Sequence, residues 1–309
     1  MNDLHPEPQA SEPGWLPIRE VARLTGVNPV TLRAWERRYG LIVPLRTGKG
    51  HRLYNDEHVA RIREILAWLN RGVAVGQIKH LLDARQPVEH AQHNPWSELR
   101  EQMLAALERL NERQLDDTFN RALTIYPPRT LCQHLLLPLL DELTQRWQGQ
   151  FGAALERVLF ESWLRNKIAM RLYHSNRQQS GPSMLIASLA ERPVDPGLWL
   201  TAWLVSAVAP VELIERAVPF AELALALERL NPTALLLHTD QSLDKACLQR
   251  QLPRLAREGA APLVLVGPAS LIHRAALEEA PVRLAEGPLQ VLAQLAEADL
   301  LDPSEEDRA

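Results

Sequence analysis

The sequence predicts a multidomain chain of α and α/β parts: an N-terminal winged helix-turn-helix, a central four-helix bundle and a C-terminal Rossmann-like (flavodoxin-like) parallel-sheet domain. Three observations predict it. A short basic helix, with its start and stop written locally, spans Asn28 to Gly40. Apolar residues then recur at helical spacing from Trp96 to about Gln179. From Ser183 onward the period changes to short apolar runs separated by helix-length segments, which is the pattern of a parallel sheet with helices on both faces.

The basic helix is capped by Asn28, has Pro29 at its first position, where the missing N–H costs nothing, and ends at Gly40, which tolerates the left-handed conformation. Leu32 and Trp35 or Glu36 repeat at helical spacing, while Arg33, Arg37 and Arg38 crowd positive charge onto the remainder. Upstream, Ile18, Val21, Ala22 and Leu24 give a first helix one apolar face, and Thr25-Gly26-Val27 makes the turn. Helix, glycine turn and second helix form the helix-turn-helix layout, whose second helix enters the major groove. Downstream, Arg46-Thr47-Gly48-Lys49-Gly50-His51-Arg52 is basic and glycine-rich between two apolar flanks, a hairpin wing suited to the phosphate backbone. Asn55 then caps a helix through Val59, Ile62, Ile65, Leu66 and Leu69, and Val75, Ile78, Leu81 and Leu82 mark a shorter one. This domain occupies residues 15–85. Residues 1–14 read as a disordered tail. Residues 86–95 read as a linker, in which His90 and His93 are solvated rather than metal ligands.

The bundle, residues 96–180, is marked by Leu99, Met103, Ala106 and Leu107, by Leu115, Phe119, Ala122 and Leu123, by Leu131, Leu135, Leu139 and Leu143, and by Leu155, Leu159, Trp163, Ile168 and Leu172. In the α/β domain, residues 181–299, the strands are Met184–Ala187, Val211–Ile214, Ala234–Leu237 and Leu263–Val266. Ligands of such sheets bind beyond the carboxyl ends of the strands, here residues 190–197, 238–241 and 267–270. Residues 300–309 form an acidic tail.

Charge is distributed unevenly. Residues 15–85 carry thirteen Lys or Arg against six Asp or Glu, a balance of +7 in a chain whose net charge is −4. The front gains DNA affinity by releasing counterions, and the acidic remainder stands away from the duplex. Cys132 and Cys247 are far apart in apolar settings, which argues for buried thiols and against a disulfide or thiolate metal site. No apolar run reaches bilayer length and the start is acidic, so a cytoplasmic protein without a membrane partner is expected.

Residues Ile18 to Leu82 resemble the DNA-binding domain of the MerR family of transcriptional regulators, through Leu24-Thr25-Gly26-Val27, Thr31-Leu32-Arg33 and the wing ending Arg52-Leu53-Tyr54. Arg33-Ala34-Trp35-Glu36-Arg37-Arg38-Tyr39-Gly40 with Gly50-His51-Arg52-Leu53-Tyr54 is most similar to the CarH, LitR and MlrA-like branch, which includes light-responsive repressors. The resemblance implies that Thr31, Arg33, Trp35, Arg38 and Tyr39 sit at the groove and its phosphates. It implies that Arg46, Lys49, His51 and Arg52 hold the flanking backbone.

The bundle and α/β domain together resemble that branch's cobalamin-binding module. In the cobalamin binders, the loop after the first strand carries an acid, then a histidine that ligates cobalt from below, then a glycine. Here the loop reads Arg192-Pro193-Val194-Asp195-Pro196-Gly197, so Gly197 remains and Val194 stands in the histidine's place. The family's bundle tryptophan corresponds to Trp147, but its Glu-His pair falls on Glu156-Arg157 or Arg157-Val158, without a histidine either way. The paired glycines at the fourth strand's exit are Val266-Gly267. The module therefore reads as degenerate: no cofactor is expected, although a cobalamin that keeps its own benzimidazole below the metal needs no protein imidazole. Trp199 and Trp203 either pack as core or partly fill the emptied region.

These readings converge on a regulator that binds a promoter palindrome in double-stranded DNA as a homodimer, touching RNA polymerase indirectly. One recognition helix covers too few bases for useful specificity, which is why two are expected. The C-terminal region serves as an effector-responsive or oligomerising module, or as a docking surface for a protein partner. A cobalamin-dependent enzyme would need catalytic groups among Glu191, Asp195, His238, Asp240 and Ser270, which helix caps and loop solvation explain as well.

Overall fold

The computed structural model describes residues 14–83, 94–149, 151–179, 181–191, 195–259, 261–277 and 279–300. The N-terminal tail, most of the linker with His90 and His93, and the acidic tail past Leu300 lie outside these residues. Two compact units divide the chain, one running to Leu159 and one starting at Phe160.

The first unit begins with β1 (Leu16–Pro17) and α1 (Ile18–Thr25), which ends at Gly26 with φ 68°. Asn28 accepts from the Val30 and Thr31 amides at 2.8 and 3.0 Å and starts α2 (Pro29–Ala34). That helix continues as a π-helical turn, Trp35–Tyr39, closed by Gly40 at φ 59°. The wing is a hairpin of β2 (Leu45–Arg46) and β3 (Arg52–Tyr54), with Arg46 opposite Arg52, and β1 adds a third antiparallel strand through Leu16–Tyr54 and Pro17–Leu53. Asn55 and the His58 ring cap α3 (Asp56–Asn70) reciprocally, and α4 (Val75–Asp83) follows. Val21, Leu32, Trp35, Leu53, Ile62, Ile65, Leu69 and Ile78 are the buried centre of this domain.

A helical region comes next: α5 (Pro95–Glu108), α6 (Glu112–Leu123), α7 (Pro128–Leu131), a π-helical turn Cys132–Leu136 and α8 (Leu137–Arg146). Pro95 is not linker but the first residue of α5, capped by Asn94. The π turn has a local cause. Pro138 lacks the N–H that would reach the His134 carbonyl, and Arg100 donates to that oxygen instead at 3.4 Å. This region is fastened to the DNA-reader domain by side chains: Trp96 Nε1 donates to Gly72 O at 2.8 Å, Thr130 Oγ1 to Asn70 Oδ1 at 3.2 Å, and a ring nitrogen of His134 lies 3.0 Å from Asn70 O.

Helix α9 (Ala153–Asn176) leads into the second unit. There the Asn176 side chain donates to Val211 O at 2.8 Å and accepts from Val211 N at 3.0 Å, tying the helix end to an edge of the sheet. The sheet is parallel, ordered β5-β4-β6-β7-β8, with β4 (Met184–Ser188), β5 (Val211–Ile214), β6 (Leu235–His238), β7 (Leu263–Val266) and β8 (Val282–Ala285). Leu185, Ala187, Leu235, Leu237, Leu263 and Leu265 form one core with Leu223 of α11 (Phe220–Leu230) and with Leu252 and Leu255 of α12 (Leu252–Glu258). Side chains alternate along a strand, so Ile186, Leu236 and Val264 turn to the other face, the side of α10 (Pro196–Val205) and α15 (Pro288–Glu297). Between β7 and β8 lie α13 (Ala269–Ile272) and α14 (Arg274–Leu277). Strand β8 has no counterpart in the four strands read from the sequence. It is an edge strand interrupted by Arg283 and mostly half-buried, so it lacks an apolar run.

Candidate nucleic-acid interface and sheet crevice

Helical periodicity splits the recognition helix into two faces. Thr31, Leu32 and Trp35 are buried, Trp35 with 0% of its surface exposed, whereas Val30, Arg33, Arg37 and Arg38 are exposed. The expectation that Thr31 and Trp35 sit in the groove is therefore corrected. Both belong to the core, because the face that seals the domain cannot also face DNA, and Trp35 Nε1 donates to Ile125 O at 2.9 Å. Tyr39 is half-buried at the helix end.

The wing is hooked to this helix by one carboxylate. Glu36 accepts from Arg46 Nη2 at 2.7 Å and from Arg52 Nε through its other oxygen. Burial raises the Glu36 carboxyl, but hydrogen bonds from Arg52 and Arg46 together with their charges outweigh it and hold the group below its ordinary range. Arg46, exposed, and Arg52, largely buried, thus hold the wing in register, and sequence reading missed Glu36 because its partners come from the two strands of the wing. Lys49 and His51 are exposed at the tip, where Thr47 Oγ1 accepts from His51 N at 3.1 Å and Gly50 adopts φ 80°.

A model of the MerR HTH family regulatory protein matches residues 16–85. The HTH-type transcriptional regulator MlrA of Escherichia coli is 38% identical over 189 residues, 61% of this chain and 74% of that protein. The chain belongs to the MerR family of transcriptional regulators. It is accordingly a DNA-binding transcription regulator. Among its MerR relatives, the HTH-type transcriptional repressor CarH of Myxococcus xanthus is 28% identical over 285 residues, covering 87% of this chain and 94% of CarH. The repressor CarA of the same organism is 33% identical over 133 residues, 42% of this chain and 45% of CarA. A B12 binding domain model matches residues 99–172, the helical region.

That match makes the residues that the resemblance assigns to a corrinoid worth testing, in each unit by itself. Trp147 donates from Nε1 to Glu156 Oε2 at 3.3 Å, and Arg146 donates to Glu156 Oε1 at 3.0 Å, so the Glu of the expected pair, on α9, is held by the end of α8. Arg157 and Val158 are exposed. Val194 lies outside the described residues. The crevice proper forms where strand order reverses, between the carboxyl ends of β4 and β6. A Cβ on Gly197 would stand 2.4 Å from Asp195 Oδ2 and 3.1 Å from His238 Nε2. A Cβ on Gly267, at φ 114°, would stand 2.3 Å from the Thr239 carbonyl and 3.5 Å from His238 Nε2. Val266 is a fully buried strand residue.

The chain itself needs Gly267, whose left-handed φ and backbone neighbour exclude a side chain, whereas at Gly197 the nearest atom is the end of the Asp195 side chain. On the side where each lacks a side chain, the protein's own oxygen atoms and the His238 ring already stand. With valine at position 194 and Arg157 and Val158 after Glu156, no imidazole stands where the resemblance calls for one, so these residues do not fit a corrinoid held by a protein histidine. His238 is 3% exposed, its Nε2 lies 3.3 Å from Asp195 Oδ2, and burial pushes its pKa down to about 4. A histidine closing an apolar strand is visible in the sequence, but its place under both glycines comes only from the sheet order. Trp199 and Trp203 are buried in α10, as core.

Two predictions follow from these geometries. Glu36→Gln keeps the shape but removes the charge, so it should lower unfolding free energy by roughly 1–2 kcal/mol at neutral pH. Because the native carboxyl titrates low, wild type should lose that advantage as pH falls through the native value, and an undiminished deficit at acid pH in urea titrations would detach Glu36 from the wing. His238 is neutral when folded and more basic when unfolded, so its burial is tolerated above about 6.5 and opposed increasingly as pH falls toward about 4. Wild type should lose up to roughly 3 kcal/mol across that window. His238→Leu should flatten the dependence.

Proposed function

We propose that this MerR-family regulator binds a two-fold promoter palindrome as a homodimer, with Arg33 reading bases and Arg38, Lys49 and His51 gripping phosphates. The observation that carries the reading is the division of the recognition helix: Val30, Arg33 and Arg37 exposed on one face, Thr31, Leu32 and Trp35 sealed on the other. The helical region supplies the dimer surface, and RNA polymerase is affected indirectly. The protein acts in the cytoplasm and catalyses nothing. Among the described residues no helix is long and apolar enough to cross a membrane.

The α/β domain, on this reading, has lost cobalamin and serves as a docking or oligomerising module for a protein partner. The support is the valine in the ligating position and the lack of a histidine after Glu156, where Arg157 and Val158 stand. The B12 binding domain match over residues 99–172 favours a second reading, a repressor that responds to cobalamin or another small molecule.

Gel-shift titration on footprinted DNA from the gene's own upstream region tests the reader. Arg33→Ala should lose discrimination between operator and random duplex by roughly 1–3 kcal/mol, whereas Lys49→Ala should weaken both alike and reduce the salt slope by roughly one. Equal effects of the two changes would remove the assigned roles. Adding adenosylcobalamin should leave the elution volume unchanged in dark and light and leave the desalted protein colourless. A retained corrin absorbance would select the second reading.

A further inference from the structure

The exposed face of the recognition helix does not stand alone. Val30, Arg33, Ala34 and Arg37, spaced as one helical stripe, together with Arg38, line a cleft of about 380 Å³ whose remaining lining residue is Thr124. Thr124 ends α6 and opens the corner that leads to α7, so a residue of the helical region stands across from the very side chains that meet DNA.

That corner is fixed to the DNA reader. Trp35 Nε1 holds the Ile125 carbonyl at 2.9 Å. Tyr126 is 5% exposed, its ring 4.5 Å from that of Trp96, which in turn donates to Gly72 O. Pro127 and Pro128 set two consecutive φ angles. Swinging the corner aside would break the Trp35 hydrogen bond and expose two large aromatic rings to water, a change that burial of their apolar surface opposes. The corner therefore moves with the reader as one body. A helix in a major groove has a sugar-phosphate strand on either side, and the cleft between the guanidinium groups and Thr124 flanks the exposed stripe that would face the groove.

We infer that the α6–α7 corner is part of the DNA-binding surface, with Thr124 set against the sugar-phosphate backbone beside the base pairs that the recognition helix reads. The inference rests on the regulator reading above and extends it: the DNA interface of this chain does not end at residue 85 but includes the helical region. Thr124 now donates to the Arg121 carbonyl at 2.7 Å and is half-exposed, so its contribution is position rather than charge. Placing a charge there reports directly on a nearby phosphate.

The full-length protein is titrated with a duplex from the gene's upstream region and with a random duplex of equal length, over a series of salt concentrations, by fluorescence anisotropy. Thr124→Lys, which suits a helix C-terminus, should tighten binding to both duplexes several-fold at low salt and steepen the slope of log K against log salt by roughly 0.9, one added phosphate contact. Thr124→Glu should weaken both about tenfold, and Thr124→Ala should remain within about twofold of wild type. Thermal melts of all three exclude unfolding as the cause. Lysine and glutamate variants with wild-type affinity and slope would place the corner off the DNA. Tighter binding by Thr124→Lys with an unchanged salt slope would show instead that the corner occludes the helix and adds no phosphate contact. Wild type that binds neither duplex would overturn the regulator reading itself.

Discussion

The first unit depends on the seating of Trp35. A recognition helix of two or three turns is too short to persist in water by itself, so it exists only because its inner face is buried. Trp35 is the largest side chain on that face, it is fully enclosed, and its single polar atom is satisfied by Ile125. Burying a side chain of that size contributes on the order of 2–3 kcal/mol, and leaving the indole N–H unpaired would cost a comparable amount. The hydrogen bond reaches 90 residues along the chain. The same hydrogen bond ties the DNA-reading surface to the helical region.

Seating Trp35 also determines what remains available for DNA. With one stripe committed to the core, only the opposite stripe presents its guanidinium groups. Glu36 lies between the stripes and uses its charge inward on Arg46 and Arg52. A carboxylate beside a polyanion costs affinity unless it is neutralised, and two arginines do that while setting the wing at a fixed distance from the helix. The acid subtracts little from the positive field and gives the wing its register.

Much of this was legible in the sequence, for identifiable reasons. Caps at Asn28 and Asn55, stops at Gly26 and Gly40 and the strands Val211–Ile214 and Leu263–Val266 depend on local signals and fall where those signals put them. What escaped is non-local. The inward turn of Trp35 and Thr31 depends on which helical stripe meets α1, and resemblance to a family motif does not separate a residue that reads DNA from one that holds up the reader. The pairing of Glu36 with the wing requires the hairpin to fold back. Strand β8 forms because β7 offers it an edge, not because Val282–Ala285 carries a strand pattern.

The sheet crevice shows the same distinction in chemical form. Gly197 and Gly267 match a pattern associated with a bound ligand, and the pattern alone suggests a partly preserved site. Yet the Thr239 carbonyl lies where a side chain on Gly267 would begin, and that carbonyl is placed by the Thr239 amide donating to Val266 O across the parallel sheet. The glycine is required by the backbone whether or not anything else binds. A glycine at such a loop is therefore no evidence by itself that a ligand binds there, because the fold requires it for its own backbone. His238 lies beneath both glycines, neutral and close to Asp195, in space that a charged side chain could not occupy at low cost.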